Sequence, residues 1–192
     1  AINLYYDDVL SNARKALAAL EGSAPLSNEA LLIAAYRATQ YAEYVQYRAT
    51  YDELTSTGNM GLVTDLSLRK MATEIYSTSL YQNIKDEGIN SRYRAAFRML
   101  VPIAVQEGVA AKCGDRSSDI GDYEGIKHPL DYECTTGLTQ QEIDSAAASL
   151  RSDPTLVALL RLRIANINSA VSTQVMSKDV LTRLSALSRD KP

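Results

Sequence analysis

Residues 51–76 read YDELTSTGNMGLVTDLSLRKMATEIY. A helical pattern closes at Ser56-Thr57-Gly58-Asn59 and a second opens near Thr64 or Asp65. Gly58 can adopt the left-handed backbone that commonly ends a helix, and Asp65 can cap the next one. The stretch therefore predicts a helical hairpin. The same punctuation recurs along the chain and predicts an all-α fold.

Working outward, the first helix is expected from Leu4 to Glu21, with Gly22 as its stop. Val9, Ala13, Ala16, Leu17 and Leu20 share one face. Asp7 and Asp8 fall in its first turns, where the helix dipole favours negative charge. Ser27 or Asn28 can cap a long second helix reaching Thr55. Leu31, Ala35, Ala38, Ala42, Val45 and Ala49 form a small-residue seam along it, which lets a partner helix approach closely. A third helix is expected from Asp65 to Glu87, ended by Gly88. A fourth runs from Ser91 to Lys112, kinked at Pro102, which removes a ladder bond. Thr139-Gln140-Gln141-Glu142 reads as a capping box opening a short helix to Arg151. Asp153-Pro154 restarts a last helix to about Ser188, with Asp as cap and Pro at the first helical position. Together these predict one domain over residues 1–192. Its form is an up-and-down bundle of four long helices plus one or two short ones, with a loop insertion at 113–137.

Composition supports this class. Apolar residues make up 46% of the 192, enough for a core, while only nine Gly and five Pro argue against all-β and disordered chains. The net charge of -3 comes without a basic patch, so no nucleic-acid partner is expected. Twelve Tyr against one Phe and no Trp suit half-buried helix surfaces or a wet cleft. The chain opens Ala1-Ile2-Asn3 without Met, which suits a mature chain or a segment of a longer one. No apolar run approaches the roughly 20 residues a membrane span needs. Any membrane attachment is thus expected through a segment outside this chain.

Cys113 and Cys134 rim the polar loop CGDRSSDIGDYEGIKHPLDYEC. A bridge between them would close a loop of about 20 residues and stabilise by roughly 3 kcal/mol. It would place the chain in an oxidising compartment such as a periplasm.

Reaction chemistry is sparse. The one histidine, His128, lies in the loop, so catalytic triads and Glu-x-x-His di-metal sites lack their parts. Phosphate-cradling loops and haem attachment motifs are absent, and no cofactor is expected. Asp115, Ser117 and Asp119 alternate as calcium-loop ligands do, but the turn glycine is displaced to Gly121 and Ile126 stands where the closing carboxylate belongs. Asp122 and Glu124 are the substitutes, and with Asp115 and Asp119 they form the alternative of a metal-dependent or carboxylate-based enzyme. Arginines cluster at Arg92, Arg94 and Arg98, at Arg161 and Arg163, and at Arg37 and Arg48. Tyr36, Tyr44, Arg48, Arg94 and Arg98 make a candidate ligand groove, because a buried Arg beside Tyr is a good seat for a carboxylate or phosphate.

The hairpin resembles a pattern in a group of uncharacterised bacterial inner-membrane proteins. It has an aromatic, Leu, Ser-x-Gly, a short linker, Asp, Leu-Arg and a Tyr. Here those positions are Tyr51, Leu54, Ser56, Gly58, Asp65, Leu68, Arg69 and Tyr76, and Asn12 suits the group's N-terminal region. The likeness covers roughly residues 1–80. It implies an N-terminal transmembrane helix in the parent protein and a helical extracytoplasmic region. It implies no activity. The expectation is a non-enzymatic sensing or interaction domain, whose partner is a small molecule, an envelope protein or a second copy of itself. A scaffold in an envelope complex is the third reading. Packing roles are expected for the motif residues: Leu54 against Leu68 across the turn, and Arg69 on helix-end carbonyls or on Asp52 or Glu53.

Overall fold

The computed structural model describes residues 2–42, 47–77, 80–116 and 128–189, with backbone alone at 2–3, 80–82 and 173–189. Its regular elements are all helical. They are α1 (Ile2–Leu20), α2 (Asn28–Arg37), α3 (Ala49–Ser56), α4 (Leu66–Ser77), α5 (Leu80–Ile89), α6 (Arg92–Leu100), α7 (Ile103–Cys113), α8 (Gln140–Ser152) and α9 (Pro154–Arg189), with a 3-10 turn at Asn59–Leu62. No described helix is long and apolar enough to cross a membrane.

α2 sits at the centre. Leu31, Leu32, Ala35 and Ala38 are fully buried against Ala13 and Ala16 of α1, Tyr93 and Phe97 of α6, Ala147 and Leu150 of α8, and Leu156 and Leu160 of α9. Each such Leu contributes about 1.5–3 kcal/mol of apolar burial. A second cluster joins Tyr6, Val9 and Leu10 of α1 to Ile84 of α5, Ile167 of α9 and Leu130 from the long loop.

Local rules set most helix ends. Ser27 accepts from the Ala30 N–H, Ser91 from Arg94, and Asp153 from Thr155 and Leu156. The Thr139–Glu142 capping box is complete. Gly22 and Gly58 are left-handed, at φ 76° and 69°.

Three expected helices have different bounds. The second does not run to Thr55; it stops at Arg37, and α3 is separate. Thr39 Oγ1 donates to Tyr36 O at 2.6 Å and Gln40 Nε2 to the same oxygen at 3.3 Å. These local side-chain bonds compete with the helical ladder. Tertiary donors take the carbonyls this leaves open: Tyr93 Oη donates to Ala35 O at 2.9 Å, Arg94 Nη1 to Thr39 O at 2.9 Å and Arg163 Nη2 to Gln40 O at 2.8 Å. Pro102 breaks the fourth helix outright. Val101 is extended at φ -97°, ψ 130°, as a residue before proline prefers. Gln106 Nε2 recovers Arg98 O and Val101 O. Gly88 does not end the third helix. It lies inside α5, where a Cβ would come 2.7 Å from Tyr41 Cγ, so its role is close approach. The expected run from Asp65 to Glu87 appears as α4 and α5 on either side of residues 78–79, which lie outside the described residues.

Candidate functional site

The most elaborated region joins α1 to the two ends of the long loop. Tyr5, Asp8, Asn12 and Lys15 recur at steps of three, four and three, so they share one helix face. Tyr5 Oη donates to Asp115 Oδ2 at 2.8 Å. Asp8 Oδ1 lies 2.9 Å from His128 Nδ1, and Asp8 Oδ2 accepts from the Leu130 N–H at 3.1 Å. Asn12 Nδ2 donates to Asp8 O at 2.9 Å and Leu130 O at 3.5 Å. Lys15 Nζ pairs with Asp131 at 3.7 Å. Asp8 is therefore not the helix-dipole residue expected from its position: it is buried and anchors the returning loop.

The Cys113–Cys134 disulfide, with Cα atoms 5.6 Å apart, closes the same region. Arg37 is buried behind it. Its Nε donates to Cys113 O at 3.0 Å and its Nη1 to Tyr132 O at 3.1 Å, while Nη2 lies 3.4 Å from Cys134 Sγ. The Tyr132 ring carries a guanidinium on both sides, Arg37 at 4.3 Å and Arg116 at 3.7 Å from its centroid. Such cation–π contacts help to hold the Tyr132 ring in place. Tyr132 Oη also donates to Gly114 O at 2.5 Å. Open clefts flank segment 132–135. One, of about 590 Å³, has Lys15, Ile33 and Arg37 on its walls. The other, of about 680 Å³, has Lys112, Asp115 and Arg116.

Electrostatics follow from this crowding. Burial pushes the Tyr5 hydroxyl up, and the adjacent Asp115 carboxylate pushes it further. Asp115 keeps a water-facing edge while protein crowds its other side. That desolvation raises its carboxyl, and the Tyr5 bond partly opposes the rise. The Asp8 hydrogen bond raises the His128 imidazole, with the charges of Asp8, Asp131 and Asp7 adding to it. Glu29 is held below the usual carboxylate range by the Thr136 N–H and hydroxyl, which it accepts at 2.7 Å each.

The groove expected from sequence is brought together in part. Tyr36 packs edge-on against Phe97 at 6.2 Å. Burial raises its hydroxyl and Asp115 adds to the rise, while Arg94 and Arg98 pull it down. Arg94 is half-buried over the Tyr41 ring at 4.8 Å, and Arg98 is exposed. Arg48 lies elsewhere, exposed and paired with Asp52 one turn on. Tyr44 falls outside the described residues, as do Ser117, Asp119, Gly121, Asp122, Glu124 and Ile126. Two buried arginines lie outside that expected groove: Arg37, over the Tyr132 ring, and Arg163, which desolvation lowers to about 10 while the Tyr6 and Tyr5 hydroxyls oppose the fall. Arg163 donates to Ala38 O, Gln40 O and Glu87 O, and it pairs with the Glu87 carboxylate.

Each hairpin residue has a local part. Tyr51 and Tyr76 stack at 4.6 Å between centroids, and Tyr76 Oη donates to Tyr47 O. Asp65 accepts from the Leu68 N–H. Ser56 Oγ bonds back to Glu53 O within α3. Leu54 and Leu68 are half-buried. Arg69 donates from Nε and Nη2 to Val63 O, in the linker, rather than to Asp52, Glu53 or the α3 end.

Comparison with protein-family models, with curated proteins and with solved structures gives no match to this chain.

Sequence reasoning did not single out Tyr5, Lys15, Leu130 or Asp131. The available signal was the recurrence of polar residues on α1, a helix whose other face is apolar.

Proposed function

We propose that this chain is a non-enzymatic extracytoplasmic domain that recognises a small molecule or an envelope protein. Its recognition surface is the face made by segment 128–139 against α1. The observation carrying this reading is how that face is built. A disulfide, a buried guanidinium and four residues of α1 all fix residues 113–116 and 128–134, and fixing surface segments in one geometry is what binding rewards. The Cys113–Cys134 bridge favours an oxidising compartment. The hairpin's likeness to inner-membrane proteins favours a tether to that membrane in the parent protein. Arg37, Arg94 and Arg163 each hold backbone carbonyls, which leaves recognition to the rim residues Lys15, Lys112 and Arg116.

Two measurements test the reading. In cells exporting the chain, Cys113 and Cys134 should resist maleimide until a reductant is added; labelling of both without reductant would remove the compartment. In a screen of envelope metabolites followed by amide NMR, shifts should concentrate at Tyr132–Thr135. Shifts confined to the α3–α4 hairpin would move the recognition surface there.

A further inference from the structure

We propose that Asp8, His128 and Asp131 form a binding site for a borderline divalent cation of the zinc class. One imidazole nitrogen and two carboxylate oxygens come together here from α1 and the returning loop, 120 residues apart in sequence, and all three ligand atoms lie within 4.8 Å of one another. Tetrahedral bonds of about 2.0–2.2 Å set ligand atoms roughly 3.4 Å apart, so small side-chain rotations suffice to close the set.

The donors select the metal class. One nitrogen and two oxygens, with water in the fourth position, suit zinc and its neighbours. Calcium requires six to eight oxygens and finds too few. Asp8 is held for the task. Its side chain is 4% exposed, and the Leu130 N–H fixes Oδ2 while Oδ1 faces His128. Outer bonds of this kind orient a ligating carboxylate. His128 and Asp131 are exposed, which gives the ion a path from solvent.

The charge balance also favours a cation, because two of the three ligands, Asp8 and Asp131, are carboxylates. Lys15 is the competing cation, but it stands 3.7 Å from Asp131 and both side chains are more than half exposed, which makes a weak pair. Bound metal would take the place of the hydrogen bond between Asp8 Oδ1 and His128 Nδ1. The ion would also link α1 to the loop's return, so it should stabilise the fold.

The test uses the full chain stripped with chelator and titrated with zinc chloride, followed by calorimetry and, with cobalt in place of zinc, by visible absorption. The expected result is one ion per chain and a raised thermal midpoint. His128→Gln and Asp131→Asn should each bind at least about tenfold more weakly. Both side chains are exposed, so each variant should remain folded in chelator, and binding is read on the folded variants. The proposal is overturned if wild type takes up no stoichiometric zinc, if His128→Gln binds zinc unchanged, or if calcium matches zinc.

Discussion

Removing one hydroxyl from Tyr93 tests the account of why α2 ends where it does. Tyr93 is 1% exposed, and its Oη donates to Ala35 O at 2.9 Å. The local ladder has slipped past that carbonyl: Ala38 N–H bonds Ala34 O and Thr39 N–H bonds Tyr36 O. Ala35 O thus depends on Tyr93. The Tyr93→Phe change keeps the ring, its packing on Phe97 and the core volume. It leaves a buried acceptor without its donor, at about 1–3 kcal/mol. For a chain of this size, 2 kcal/mol corresponds to roughly 4–8 °C in thermal midpoint. Urea unfolding followed by circular dichroism gives the free energy directly. Tyr76→Phe is the internal control, because its hydroxyl makes the same kind of bond, to Tyr47 O, in an exposed setting. That change should stay within about 0.5 kcal/mol. If Tyr93→Phe is equally silent, Ala35 O has another donor and the reasoning fails.

Three further outcomes follow from the same structure. Replacing both Cys113 and Cys134 by Ser opens a loop of sequence separation 21 and should destabilise by about 3 kcal/mol, read as the difference in denaturant midpoint from the oxidised wild type; a midpoint equal to wild type would refute it. Gly88→Ala should lower the thermal midpoint, although Ala in a helix is ordinarily favoured over Gly by up to about 1 kcal/mol. The new methyl would meet Tyr41 Cβ and Cγ, which lie at the base of a side chain and yield little, so a raised midpoint would contradict the packing. Glu29 titrates below its ordinary 4.5 because Thr136 bonds its charged form. A depressed folded value means stability is present above 4.5 and is lost as pH falls through the lower folded value. Wild type should therefore exceed Glu29→Gln in stability at pH 7, and the gap should close below about 4.5; a gap constant from neutral to strongly acid pH would refute the linkage.

What was legible in the sequence is what short-range chemistry decides. Ser27, Asp65, Thr139 and Asp153 cap helices because each meets an N–H two or three residues ahead, and Gly22 and Gly58 turn because the backbone there must go left-handed. The hairpin is local in the same sense, since its Tyr51–Tyr76 stack spans only that motif. The cysteine pair was legible from its place at the rims of one polar stretch. The end of α2 was not. A seam of Ala continues past Arg37 into Ala42, Val45 and Ala49, and periodicity alone carries the helix onward. The donors that receive the chain at Ala38–Gln40 come from Arg94 and Arg163, and Tyr93 serves Ala35 beside them; all lie 55 to 125 residues later. The candidate site was hidden for the same reason. Tyr5, Asp8, Asn12 and Lys15 read as the wet side of an amphipathic helix, and the partners that cover them lie beyond residue 114.

The buried arginines show what replaces a regular ladder in this fold. Arg37 ties residues 113, 132 and 134 to α2, and Arg163 ties residues 38, 40 and 87 to α9. In both cases chain segments without a common helix or sheet converge and present carbonyls. Water cannot reach those oxygens freely, and an apolar side chain would leave them unmet. A lysine presents one compact charge on a flexible stem, whereas guanidinium offers five donors in a rigid plane that can meet several carbonyls at once. Desolvating such a cation is costly, and Arg163 shows it in its depressed titration. The carbonyl bonds offset that penalty only when every segment is in register, so each arginine favours one arrangement of its loops over all others. An arginine placed this way is a reason for a chain segment to have a fixed shape, and the segment around Tyr132 that Arg37 shapes continues from the one that α1 grips.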